Sequence, residues 1–382
     1  MSETDLTKRA SIAALLSIPY VGHATIRGLI SYLRKHEIDW ADFWVLSRQL
    51  LSTIGLSEKQ INSIYAFKKE HIFSSYYEQL LVRDIYLLIE TDESYPVLLR
   101  TMTRPPVGLF VRGVQKMQPG LTIAVVGTRK MTAYGKYVTE TIVRELVQCG
   151  CSTVSGGMYG VDMTAHRATL AAGGSTQVIL GHGFDHVYPA QLAPQHQALL
   201  DAGVGFYTPF APQVKPSRQT FPIRNAVVAG CAAAILVTEA AQKSGSHITA
   251  QCGLDQGKTV FAVPGPITNP YSVGTASLLQ QGASLYLNAA QLIAELEPQY
   301  KEGQLRTLDV ESRGGKNVED ADTKSPQQLA ESQVLAAVQS GLTTMQTLQA
   351  GVDIDMSVLS QTISQLEMSG KLRKIGGQIF VE

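Results

Sequence analysis

Apolar residues change their spacing twice along the chain. Up to about residue 84 they recur at helical intervals. AALLSIPYVGHATIRGLISYL carries them on both sides of Pro19-Tyr20-Val21-Gly22, and LSTIGLSEKQINSIYAF repeats the pattern around Gly55. This spacing predicts helical hairpins over residues 1–84. Their turns could grip a nucleic-acid backbone through free N–H groups or simply pack helix on helix, and both readings stand.

From Ile85 the period shortens. IYLLIETDESYPVLLRTM holds a short apolar strand and a Ser-Tyr-Pro turn, and RPPVGLFVRG a second short strand. Between Leu121 and Leu287, continuous apolar runs alternate with helical stretches. TIAVVG, STVSGG, TQVILG, AAAILVTEA and KTVFAVPG read as strands, and YVTETIVRELVQCG and VDMTAHRATLAAGG as helices. Strands without polar alternation, separated by helices, predict a parallel sheet covered on both faces. The fold class is therefore α/β, with a doubly wound Rossmann-like domain over residues 85–296 behind an N-terminal helical (helix-hairpin, SAM-like) domain.

Residues 297–325 are polar and charged, without apolar period, and predict a flexible linker. Within 326–382, ESQVLAAVQ, TMQTLQAGV and MSVLSQTISQLEMSG predict three helices. LRKIGGQIFVE predicts a hairpin turning at Gly376-Gly377, which completes a winged helix. Its second-last element, Met356 to Met368, carries no Lys or Arg, which argues against strong duplex binding there.

Composition changes this picture little. The 382 residues are 45% hydrophobic and 17% charged, with 32 Lys and Arg against 32 Asp and Glu. No global basicity points to a nucleic acid, but local patches decide phosphate affinity. Cys149, Cys151, Cys231 and Cys252 lack metal-ligand spacing and predict free thiols in a reducing compartment. MSETDLTKRA has no signal-peptide pattern and no run is long enough to span a membrane, so a cytoplasmic protein with no metal and no cofactor is expected.

In doubly wound sheets ligands bind beyond the carboxyl ends of the strands. Four loops should gather there: Gly127-Thr128-Arg129-Lys130, Ser155-Gly156-Gly157-Met158-Tyr159-Gly160, Gly181-His182-Gly183-Phe184 and Lys243-Ser244-Gly245-Ser246. Glycines let amides approach a phosphate, and the cations supply charge; a single such loop could equally be a tight turn. FPIRN, Phe221 to Asn225, precedes a helix-like run and adds Phe221, Arg224 and Asn225 to a rim with Lys215 and Arg218. Phe221 taken alone reads as core. Over residues 121–287, ten Lys and Arg face seven Asp and Glu, a net of +3 that fits a single strand or a nucleotide better than a coat on duplex DNA.

Enzyme signatures are sparse. The chain lacks a P-loop and a full dinucleotide fingerprint, and Asp162 follows its glycines too closely to hold a ribose. His166 reads as a core residue, His182 as a loop residue and His247 as a neutral ring at a helix start. Glu239 could act on a ribose or serve as a base, but a pair with Arg224 is preferred.

GTRKMTAYG, SGGMYGVDMTAHRATL, VILGHGFDHVYP, FPIRN, VTEAAQKSGSHITA, VFAVPGPI and LLQQGA, in that order, resemble the DNA-processing protein A (DprA, Smf) family; DESYPVLLRTMTRPPVGLFVRG resembles its lead-in segment. The resemblance implies a non-enzymatic, homodimeric binder of single-stranded DNA that helps load the RecA recombinase during natural transformation. It implies phosphate contacts from Arg129, Arg224, Lys243, Ser244, Gly245 and Ser246. The chain departs from the family pattern at Tyr159 and Ala226, where basic residues are usual, and at Thr208-Pro209 in place of Ser-Glu. Lost cations should weaken binding, and Tyr159 could stack on a base instead. The rival classes are a phosphoribohydrolase-type enzyme, whose PGG-x-GT-x-x-E signature PGPITNPYSVGT does not meet, and a regulatory adaptor with a vestigial pocket.

Overall fold

The computed structural model describes residues 3–117 and 120–301, and within the remainder 334, 338, 344–351, 356–368, 372–375 and 378–381. They fall into two compact units, residues 1–312 and 313–382.

The first unit begins with α1 (Glu3–Ser17), α2 (His23–Lys35), α3 (Trp40–Phe43), α4 (Arg48–Thr53), α5 (Glu58–Glu70) and α6 (Phe73–Val82). Seven consecutive residues of α1, Arg9 to Leu15, are buried, so this helix is covered on every side by the others. Ser47 caps α4, and Ser57 with Gln60 forms a capping box at α5, which sets both starts. The hairpins expected around residues 19–22 and Gly55 are present. They do not form a separate domain ending at residue 84, because their apolar cluster runs on through Ile85, Leu87, Ile89, Val107, Phe110 and Ala211 of the following sheet.

That sheet contains β1 (Tyr86–Ile89), β2 (Gly108–Arg112), β3 (Thr122–Val126), β4 (Ser152–Ser155), β5 (Thr176–Ile179), β6 (Gly205–Thr208), β7 (Ala234–Val237), β8 (Thr259–Ala262) and β9 (Ser284–Leu285). Their order is β1-β2-β6-β5-β4-β3-β7-β8-β9. The seven strands from β6 to β9 run parallel, while β1 and β2 add an antiparallel edge. The connecting helices are α7 (Ala133–Gln148), α8 (Val161–Ala171), α9 (Ala193–Asp201), α10 (Thr220–Gly230), α11 (Ser246–Asp255), α12 (Val273–Gln280) and α13 (Ala289–Lys301). Strand β6 was not anticipated: GFYT is four residues long and lies between Gly203 and Pro209, too short for a period to emerge. Helix α13 reaches Lys301 and so takes the first residues of the expected linker, whose remainder lies outside the described residues. The chain turns back across the sheet at β3, with β4 on one side and β7 on the other, so the strand order reverses there.

A buried ion pair joins helices to sheet. The Arg9 guanidinium, 9% exposed, donates through Nη1 to the Leu87 carbonyl and to Asp92 Oδ2 at 2.7 and 2.6 Å, and through Nη2 to Asp5 and Asp92. Burial works against its charge, but Asp92 and Asp5 more than offset that and push its pKa up. Beside the sheet, His166 of α8 bonds Thr176 Oγ1 through Nδ1 at 2.7 Å, and the Thr153 hydroxyl links Thr176 to Thr169. Its Nε2 is buried without a partner, and burial pulls its pKa down to about 3. His166 is thus the core residue expected.

The second unit contains α14 (Met345–Gly351), α15 (Met356–Met368) and the antiparallel pair β10 (Leu372–Ile375) and β11 (Gln378–Val381). Ile375 pairs with Gln378, and the expected turn at Gly376-Gly377 lies outside the described residues. Val334, Val338, Leu348, Leu359, Ile363, Leu366, Leu372 and Ile379 form its core. These are the expected winged-helix elements; most of the first expected helix lies outside the described residues.

Arg9→Ala leaves Asp92 charged and half-paired at the junction, and urea unfolding should show a loss of about 3 kcal/mol. His166 takes up a proton on unfolding below its ordinary value of 6.5, so its contribution is complete above that pH and lost as pH falls toward about 3. In that window His166→Gln should flatten the pH dependence of unfolding by roughly 1.4 kcal/mol per pH unit.

Candidate nucleic-acid interface

The reversal of strand order opens a crevice of about 490 Å³ beyond the carboxyl ends of β3, β4 and β7. Its walls are the loop after β3, the start of the loop after β4, the first turns of α10, and the loop leading into α11. Of the expected site residues it brings together Gly127, Thr128, Arg129, Lys130, Gly156, Phe221, Arg224, Asn225, Lys243, Ser244, Gly245 and Ser246. The expected loop at 181–184 is not part of the lining; Gly181 lies beneath the Phe221 ring instead.

Ser155, Gly157, Tyr159 and Gly160 stand behind the crevice. Ser155 Oγ donates to the Val125 carbonyl at 2.7 Å inside the sheet. Gly160 has φ +78°, and a Cβ there would overlap the Thr128 carbonyl, so the first two loops touch through it. Tyr159 is half-buried against the cluster that holds Met163, Val178 and Leu192, so the expected stacking of a base on its ring finds no support in its position.

FPIRN belongs to α10 itself, with Pro222 in the first turn, where its missing N–H has no helical partner to lose. Being inside the helix turns Arg224 inward. It is 4% exposed, its Nη1 donates to the carbonyls of Gly156 and Ile179 (the latter at 2.8 Å), and its Nε donates to Asn225 Oδ1 at 3.0 Å. Burial pulls its pKa down to about 10, against the attraction of Asp162. It forms the floor of the crevice and braces the second loop. The expected pair with Glu239 does not form.

Glu239, 1% exposed, serves the first loop instead. One carboxylate oxygen accepts from the Thr132 hydroxyl at 2.6 Å and from Asn269 Nδ2 at 3.0 Å, the other from the Thr132 N–H at 2.8 Å. Its own carbonyl takes the Thr128 N–H at 2.7 Å. Asp162, at the start of α8, accepts from the Met158 N–H at 3.3 Å. Burial pushes its pKa up, while Arg224 and that N–H hold it down. At the start of α8 the Val161 and Met163 N–H groups go to the carbonyls of Thr128 and Met158 at 3.2 and 3.1 Å. His182 is buried and bonded at the Gly183 carbonyl, and His247 at the Ala241 carbonyl.

The cations at the rim are free. Arg129, Lys130, Arg218 and Lys243 are exposed, and among the described residues none forms an ion pair with a carboxylate. Arg129 lies over the Phe221 ring at 5.6 Å, and Arg224 approaches that ring at the same distance. Ser244 and Ser246 hydroxyls bond each other at 2.8 Å beside the α11 N-terminus, which has no side-chain cap. Ile248 and Tyr271 also line the crevice. The site has free positive charge at its lip and bound carboxylates beneath.

A profile of DNA recombination-mediator protein A matches residues 86–297, more than half the chain. The chain belongs to the DprA/Smf family. It is 35% identical to DNA processing protein DprA of Bacillus subtilis over 246 residues, 63% of this chain and 79% of that protein. With protein Smf of Escherichia coli it shares 34% over 250 residues, 65% of this chain and 66% of that one. Among solved structures, Streptococcus pneumoniae DprA aligns with a TM-score of 0.62 at 25% identity, covering 77% of this chain and 96% of the other. DprA of Helicobacter pylori, solved for its single-stranded DNA binding mode, aligns with a TM-score of 0.50 at 28% identity, covering 56% and 97%. The family profile spans every loop of the crevice. Among the described residues no helix is long and apolar enough to cross a membrane.

Gly160→Ala combines an unfavourable φ with overlap at Thr128. It should lower stability by roughly 2–3 kcal/mol in thermal or urea unfolding and displace the Arg129 loop.

Proposed function

We propose that this protein binds single-stranded DNA in the crevice between β3 and β7 and acts as a recombination mediator rather than an enzyme. The observation that carries the reading is the ring of four unpaired cations, Arg129, Lys130, Arg218 and Lys243, around a lip of backbone amides and serine hydroxyls. Such a lip suits phosphates spaced along a strand, and Tyr271 in the lining offers ring surface for a base. The positive charge is confined to this lip, which suits a single strand better than a coat on duplex DNA. Glu239 and Asp162, the carboxylates an enzyme could use, are spent on Thr132, Asn269 and Met158. Family membership extends the reading to a cytoplasmic homodimer that protects incoming strands and hands them to RecA in natural transformation.

The test is binding of labelled oligo-dT across a salt titration, with duplex of equal length as the comparison. Lys243→Ala and Arg129→Ala should each weaken binding to all sequences alike and make log K against log salt shallower by about 0.7. Wild-type affinity in both variants would overturn the assignment of this crevice. Arg224→Ala should weaken binding without that change in slope, since its charge is turned inward.

A further inference from the structure

The loop after β4, Gly156 to Gly160, begins with two glycines and yet is held at two successive peptide units. Arg224 Nη1 donates to the Gly156 carbonyl. His196, from α9 behind the loop, donates through Nε2 to the Gly157 carbonyl at 2.9 Å. Asp162 takes the other end of that same peptide, the Met158 N–H. His196 is 5% exposed, and its ring meets Phe206 edge-on at 5.4 Å, which fixes its rotamer. A carbonyl can only accept, so Nε2 carries the proton, and burial keeps the ring in its neutral form.

We infer that His196 is a positioning residue for the strand-binding crevice, acting with Arg224 as a clamp on the Gly156 and Gly157 carbonyls. Carbonyl oxygens carry partial negative charge, and two of them turned toward the crevice would oppose phosphates. The Gly156-Gly157 pair offers little steric resistance to such a turn, since neither residue has a Cβ. Gly157 already sits at φ +66°. Two buried donors hold both oxygens inward, so the negative ends of these peptides stay away from the lip where Arg129 and Lys243 act. This inference rests on the reading of the crevice as a single-strand site. No sequence motif marks His196; only the packing of α9 against the loop assigns it.

His196→Leu keeps the packing volume and removes the donor, and His196→Gln restores a donor near the Nε2 position. By fluorescence anisotropy with labelled oligo-dT, His196→Leu should bind about tenfold more weakly with an unchanged salt slope. His196→Gln should return to within about threefold of wild type. Wild-type affinity for a folded His196→Leu, no recovery in His196→Gln, or a slope reduced as by removal of a cation would each overturn the inference. Amide hydrogen exchange at residues 157–159 reads the same clamp without DNA. Faster exchange in His196→Leu than in His196→Gln supports it, and equal exchange overturns it. Should the wild-type protein fail to bind oligo-dT, the functional reading falls while the exchange data still decide the clamp.

Discussion

A single buried carboxylate sets the geometry on which the crevice depends. Glu239 lies just after β7, and its oxygens gather the backbone and hydroxyl of Thr132 and the amide of Asn269, which brings three separate loops to one point. Gly135 is part of the same constraint, since a Cβ there would overlap the carboxylate. Left unbonded at this depth, the group would be costly. Bonded three times, it fixes where Arg129 and Lys130 leave the sheet. The cations at the lip have their place because the anion beneath them is already satisfied.

The site therefore separates charge by depth. Carboxylates and the Arg224 guanidinium lie below, each occupied by backbone or neighbouring side chains. Arg129, Lys130, Arg218 and Lys243 remain above in water, free of carboxylate partners among the described residues. A chain with equal numbers of acids and bases can present a positive lip in this way without being basic overall. The N-terminal helices stand under the same requirement. Arg9 is held by Asp5 and Asp92, and the apolar cluster of the helices continues into β1 and β2, so they extend the sheet's core instead of forming an independent module.

The relation of this chain to its family bears on Tyr159 and Ala226. Both stand where basic residues are usual in the pattern that the chain resembles. Tyr159 is half-buried against the Met163 cluster, so the replacement feeds the core and not the lip. Ala226 lies on α10, whose Gln256 neighbour donates to its carbonyl at 3.1 Å. Charge lost at these positions is not replaced in place, and the crevice relies on the four cations named above.

The sequence by itself determined the fold class, the helical hairpins around Pro19 and Gly55, most of the parallel strands and, of the four loops it pointed to, the three that line the crevice. Each of these rests on local spacing: apolar runs, glycine turns and capping residues are read within a few positions along the chain. Only the tertiary structure decided that Arg224 faces inward, that Glu239 holds Thr132 and not Arg224, that Tyr159 is packed away, and that His196 reaches the Gly157 carbonyl. Residues 196 and 157 are 39 positions apart, and residues 239 and 132 are 107 apart. Which way a side chain points across such distances depends on how helices pack on the sheet. A residue's type shows what bonds it can make, and only the packing shows which partner comes within reach.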